Sequence, residues 1–366
     1  MKTPPVRCPS LRVTLTCLVS AALTVGSLHA AEQTNRLTAS QVLDEFAKAQ
    51  GQLKTFIAQY EFSRQENVST LSGRSSWFLA GDTRIDGRRV SVRKRLWGRI
   101  TPDTVRTKER PYYKSRSFDG QWRWQYDQPF WRPEDVPRGQ TGTGTVMLRQ
   151  VLNPPQTAIA LLDFCESPLT HCLGVLLHDG SKRFDARLRE AASLRVRDKL
   201  EPAGWEPSPC YVLEANTPHG QYTVWLAPAH GFQMAKAILR RQPGHRRAND
   251  YTLTAGESDL SFVEKVRFAK SGEVWIPIEA AGGLDNAFAG GVRSSFRFQL
   301  KTTQFLLNPD HEALRSFVPD DIRNGATVFY PNQEKKPPGI WQYGRVLDKA
   351  GQVILDLRKG APDVPK

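Results

Sequence analysis

Residues 118–126 read FDGQWRWQY. The Asp119-Gly120 pair suits a tight reversal, because glycine takes the positive φ angles that such a turn needs. Trp122, Trp124 and Tyr126 then follow at every second position. In a β-strand this spacing sends all three rings to one side. Each ring carries roughly 150–250 Å² of surface. At about 25 cal/mol per Å², leaving one in water forgoes up to about 4–6 kcal/mol, an upper bound because unfolded chains already bury part of it. The three rings must therefore be covered by other elements or line a cavity. Trp77, Trp97, Trp225 and Phe232 can join them. We expect Trp77, Trp122, Trp124, Tyr126, Trp225 and Phe232 to form a ligand-binding cavity wall; for any single ring, ordinary core packing is the alternative.

The flanking sequence has the same strand character. Phe56, Ala58, Tyr60 and Phe62 alternate with Ile57, Gln59, Glu61 and Ser63, the period of a strand. Turns are expected at Ala80-Gly81-Asp82, Asp86-Gly87, Thr217-Pro-His-Gly220 and Lys270-Ser271-Gly272-Glu273. Phe296, Phe298 and Leu300 alternate with Arg297, Gln299 and Lys301, as on a half-exposed sheet. Helices are expected where the period lengthens. Thr38-Ala-Ser-Gln41 has the form of a capping box, and Val42, Phe46, Ala49 and Leu53 follow at helical spacing. Residues 146–165 and 181–192 read as helical, with a break at Pro154-Pro155, and 309–317 as a short helix. GIWQYGRVLD and GQVILDL are two strand candidates in the tail.

One early helix, many strands, a helical insertion and more strands do not make the alternation of a parallel α/β enzyme. The expected fold class is mainly β (α+β): a large curved antiparallel sheet or incomplete β-barrel with helices covering the open side. The expected organisation is a leader at 1–30, a curved-sheet domain at 31–307 with a helical insertion at about 140–192, and a C-terminal extension at 308–366.

The leader rests on Lys2, Arg7 and Arg12, the uncharged stretch VTLTCLVSAALTVGSL at 13–28, and the small residues Ala30-Ala31. This is the pattern of a cleaved signal peptide, and the stretch is short for a membrane span. The mature protein is expected to be soluble and periplasmic or secreted. Cleavage after Ala30 lowers the formal net charge from +14 to +11. That charge favours an anionic membrane surface; export argues against nucleic acid as a partner. Cys165, Cys172 and Cys210 remain after cleavage. A Cys165–Cys172 disulfide closing a short loop is the first expectation, with pairing through Cys210 left open.

Catalytic motifs are missing from the sequence. There is no Gly-x-Ser-x-Gly elbow, and GQTGTGT at 139–145 lacks the Gly-Lys-Ser/Thr ending of a phosphate loop. Cys165, His171, Cys172 and His178 are a weak candidate for zinc against ordinary packing. No cofactor, no metal and no enzymatic activity are expected.

The chain resembles the LolA-like superfamily of exported lipid and lipoprotein carriers. The resemblance lies in the leader, the early helix QVLDEFAKAQGQLKTFIAQYEF, the aromatic strand FDGQWRWQYD, and VWLAPAHGFQMAKAILRR with Trp225, Leu226, Pro228, Gly231 and Phe232. It covers roughly residues 37–307. It implies a curved antiparallel sheet plugged by helices and an apolar cavity that receives acyl chains of a lipid or lipoprotein, with no catalytic residue and no metal. A monomer is expected. The longer tail and the richness in Arg and Trp depart from a minimal carrier, so two other readings stay open: an envelope sensing or interaction module with a filled core that binds a protein partner, and an envelope hydrolase.

Overall fold

The computed structural model describes residues 37–69, 74–101, 104–105, 112–128, 143–153, 155, 157–177, 182–247, 250–330 and 337–357. The expected leader at 1–30 lies outside them. From Thr38 onward the chain forms one unit, mostly β, built on one large open curved sheet.

The first half of the chain supplies β1 (Thr55–Val68), β2 (Arg74–Asp86), β3 (Val90–Thr101), β4 (Thr104–Val105), β5 (Tyr112–Phe118), β6 (Trp122–Gln128) and β7 (Thr145–Gln150). The second half supplies β8 (Ser193–Val196), β9 (Glu201–Ala203), β10 (Ser208–Thr217), β11 (Gly220–Ala227), β12 (Gln233–Arg241), β13 (Ser258–Ser271), β14 (Val274–Ala287) and β15 (Arg293–Leu307). The tail adds β16 (Thr327–Phe329), β17 (Gly339–Gln342), β18 (Arg345–Leu347) and β19 (Val353–Asp356).

Pairing runs β10-β11-β12-β13-β14-β15-β1-β2-β3-β5-β6-β7 in space, with β8 and β9 on the outer side of β10. Most neighbours are consecutive hairpins; β1 with β15 is the long-range closure that joins the two halves. The tail continues the sheet from β7 through β16, β17, β18 and β19. The β7–β16 pair is parallel and the other pairs are antiparallel.

Three helices lie on one face. α1 (Ala39–Gly51) starts at Thr38 with the expected capping box and buries Val42, Leu43 and Phe46. It packs on α3 (Phe184–Arg189), β12 and β8. α2 (Ala158–Phe164) packs on β2 and β3, and a 3₁₀ turn at Pro168–Cys172 packs on α2 and β13. No helix among the described residues is long and apolar enough to cross a membrane.

Several local expectations change. Ala80-Gly81-Asp82 does not turn; β2 runs straight through it. Gly81 is there for closeness: a Cβ at this position would sit 2.4 Å from the Arg93 carbonyl oxygen and 3.1 Å from the Tyr60 hydroxyl. Residues 146–150, the start of the stretch expected to be helical, belong to strand β7, with Val146 and Leu148 buried and their neighbours exposed. The helix of that region is confined to α2. Residues 309–317 form hydrogen-bonded turns instead of a helix. GIWQYGRVLD is a hairpin of β17 and β18.

Candidate functional site

The register of the sheet decides which residues can share a site. On β6, Trp122, Trp124 and Tyr126 point away from the helices, with Val146 and Leu148 of β7 beside them. The layer that covers them is the chain's own tail: Ile322, Ala326, Val328, Trp341, Val346 and Leu357 complete one buried cluster. Tyr126 donates its hydroxyl to the Thr143 carbonyl at 2.7 Å, and its ring meets Tyr113 edge-on at 5.9 Å. Burial pushes this phenol up to about 12.

The other expected wall residues lie elsewhere. Trp225 belongs to a separate cluster with Ala203, Cys210, Val212, Ala227 and Ala235, and its indole N–H donates to Glu201 Oε2 at 3.0 Å. Trp77 is half-buried and shares the helix-side face of β2 with Thr83 and Ile85. Phe232 is half-buried at φ 62° and stacks on Tyr211 at 6.0 Å. The structure therefore brings Trp122, Trp124 and Tyr126 together and sets Trp77, Trp225 and Phe232 apart from them.

The expected Cys165–Cys172 disulfide is not formed: Cys165, Cys172 and Cys210 are each buried as free thiols. The segment is held instead by local backbone bonds, from Ser167 N–H to Leu162 at the end of α2 and from Leu173 N–H to Thr170 in the 3₁₀ turn. Burial raises both Cys165 and Cys172 to about 12, which leaves them protonated and poorly reactive. His178 of the zinc alternative lies outside the described residues.

The helix-side face has two parts. From β10 to the start of β3 it is largely apolar, with the buried Arg241–Asp259 pair at one margin. Leu213, Val224, Leu239, Val263, Leu284, Phe298, Phe62, Ile85 and Val92 are examples from successive strands, each at most 9 % exposed. The helices close over it: Thr83 and Ser167 hydroxyls meet at 2.9 Å, and Gln50 Nε2 of α1 donates to Gln233 Oε1 at 2.5 Å. His171 lies on the Phe298 ring at 5.3 Å with Nδ1 3.4 Å from the Val175 carbonyl. From Lys94 onward the same face turns cationic, with Lys94, Lys114, Arg116, Arg123 and Arg149. The sequence carried this signal in the residues between the rings, since Arg123, Gln125 and Asp127 occupy the face opposite Trp122, Trp124 and Tyr126.

Burial lowers His171 to about 4. Below pH 6.5 the unfolded chain takes up a proton that the folded chain refuses. Stability is therefore expected to fall as pH drops from about 6.5 to about 4, by up to about 3 kcal/mol. Urea midpoints of the wild type and His171→Phe, compared at pH 7.5 and 4.5, check this; the variant should lose less.

On the face away from the helices, a recess of about 500 Å³ lies between β1–β3, β5, β6 and the tail. Gln59, Asp82, Arg93, Arg95, Asp321 and Arg323 are among its lining residues. Tyr113 donates to Asp321 at 2.9 Å and Arg93 to Asp320 at 2.8 Å, so the tail forms one side of a polar hollow. Among the described residues no group of three or more His, Cys, Asp or Glu is placed to hold a metal.

No family model matches the sequence, and no curated protein matches it. Among solved structures, the chain is similar to a DUF1329 family protein from Desulfovibrio piger, at TM-score 0.33 and 9 % identity over 78 % of this chain and 99 % of that one. It is also similar to lipovitellin, from a structure of its lipid–protein interactions, at TM-score 0.27 and 8 % identity over 70 % of this chain and 26 % of that one. Both likenesses are distant, and neither decides a role.

Proposed function

We propose that this protein is an exported, non-catalytic carrier that holds an acyl chain of a lipid or lipoprotein between its helix layer and its sheet. One observation carries the reading: an apolar wall spans the sheet from β10 to β3 and is closed by helices of only 13, 7 and 6 residues and a five-residue 3₁₀ turn. Helices this short draw their stability from packing rather than from their own hydrogen bonds, so they can leave as a layer. The driving force is partition, at about 0.8 kcal/mol for each methylene removed from water. The ligand position differs from the aromatic wall read from the sequence: the rings of β6 serve to seat the tail. The LolA-like resemblance of the early helix and of β11–β12 agrees with this use.

Locking the layer tests the mechanism. In a Gln50→Cys/Gln233→Cys variant, a short thiol-reactive cross-linker with an internal disulfide spans the gap that the two long side chains now fill and ties α1 to β12 until it is reduced. The cross-linked form is expected to lose uptake of a fluorescent fatty acid and to regain it on reduction. Equal uptake in both forms, or none by the wild type, would overturn the reading.

A second reading is favoured by the tight packing under the helices and by the charged recess at the tail. In it, the chain is an envelope interaction module whose partner docks where Arg95 and Arg323 line the hollow. Charge reversal at these two positions would then abolish partner binding and leave acyl uptake unchanged.

A further inference from the structure

The charged end of the helix-side face has an unusual register. Lys94 of β3 stands directly across from Lys114 of β5. Arg123 of β6 stands directly across from Arg149 of β7. Like charges at opposed positions repel, and this face sets two such pairs on neighbouring strands. Arg116 lies between them and is only 5 % exposed; Lys94 is 7 % exposed. Among the described residues, two carboxylates enter the cluster. Asp127 pairs with Arg116 at 2.9 Å, and Glu166 lies 3.6 Å from both Lys94 and Arg116.

Glu166 is held at φ 60°, just past the end of α2, and its own carbonyl accepts from Lys94 Nζ at 2.6 Å. Its carboxylate is half exposed. Farther along this face, Arg149 and Met147 are exposed, and Lys114, Arg123 and Gln125 are half-buried. Burial also depresses the Lys94 ammonium to about 8, against the opposing pull of Glu166 and with Arg116 and Lys114 adding to the depression.

The cluster begins where the apolar wall ends. Val90, Val92 and Lys94 occupy successive positions on one face of β3, so a single strand passes from the wall to the cations. We propose that Lys94, Lys114, Arg116, Arg123 and Arg149 form a binding site for the phosphate of an anionic amphiphile, whose acyl part lies on the adjoining wall. The second half of this statement rests on the acyl-binding reading above; the anion site does not.

Calorimetric titration separates the two. The probes are dihexanoylphosphatidylglycerol, dihexanoylphosphatidylcholine and inorganic phosphate, added to the full mature chain. The anionic lipid is expected to bind about tenfold tighter than the zwitterionic one, the scale of one charge-assisted contact. Added salt should erase that preference and leave the choline lipid unaffected. Arg149→Gln, at an exposed position, should reduce the preference, and Arg123→Gln/Arg149→Gln should remove it. If inorganic phosphate binds and needs Arg123 and Arg149 while neither lipid binds, the anion site stands and the acyl reading falls. If both lipids bind equally, or if neither the anionic lipid nor phosphate binds, the anion site is overturned.

Discussion

Replacing Trp341 by alanine is expected to lower stability by about 3–5 kcal/mol, the range for emptying a buried indole site. Trp341 is 1 % exposed and sits in the cluster that covers Trp122, Trp124 and Tyr126. It is the largest side chain that the tail adds to this cluster, beside Ile322, Ala326, Val328, Val346 and Leu357, while Tyr113 and Thr143 bond the preceding segment at Asp321 and Gly325. β16 pairs with β7 over three residues, and Trp341 itself exchanges backbone bonds with Gly325 and Ala326 at 2.8 and 2.9 Å. The ion pair of Arg93 with Asp320 involves a carboxylate that is 60 % exposed, and such pairs contribute little. The variant should therefore free the tail before the rest of the sheet unfolds. A lower urea midpoint, faster proteolysis within 337–357 and a red-shifted tryptophan emission are the expected signs. Ile340→Ala, at a neighbouring exposed position, should change stability by no more than about 0.5 kcal/mol. Equal effects of the two substitutions would mean that the indole does not anchor the tail.

This result bears on what was legible in the sequence. The capping box at Thr38 and Gln41, the reversal at Asp119-Gly120 and the alternation on β1, β6 and β15 are local signals, and each led to the right element. The alternation of Trp122, Trp124 and Tyr126 also fixed that the rings share a side. It could not say what covers that side, because Trp341 and Val346 arrive from more than 200 residues away. Trp225 and Trp77 were grouped with the rings on residue type; strand register, which is set by pairing across the sheet, separates them. Gly81 read as a turn because glycine permits both a reversal and a close approach, and only the Tyr60 and Arg93 neighbours distinguish the two. The run VMLRQVL satisfied a helical and a strand period alike, and the β6 edge decided it. The opposed like charges on β3–β5 and β6–β7 were invisible without register, although each arginine and lysine was in plain view.

Asp259→Ala is expected to be as damaging as the tail substitution, for an electrostatic reason. Asp259 of β13 is the cross-strand partner of Arg241 of β12, and neither side chain has exposed surface. Their contact is 3.3 Å; Arg247 adds a second bond to Asp259 at 3.1 Å, and Arg241 Nε donates to the His219 carbonyl at 2.8 Å. Removing the carboxylate takes one counter-charge from a fully buried guanidinium, a loss of about 3–5 kcal/mol. Removing both charges is different. Arg241→Met/Asp259→Leu deletes the desolvation cost along with the attraction, and apolar replacements of buried pairs are commonly neutral or stabilising. The double variant should therefore recover most of the stability lost in Asp259→Ala, measured as urea midpoints at one pH. If the double variant is as unstable as the single, the pair is acting through the geometry of the β12–β13 ladder and the 217–220 turn that Arg241 holds by its His219 bond. In either case the proposed acyl uptake, by α1 leaving β12 at Gln233, should persist in the folded fraction, because the pair lies at the other end of β12 from that contact.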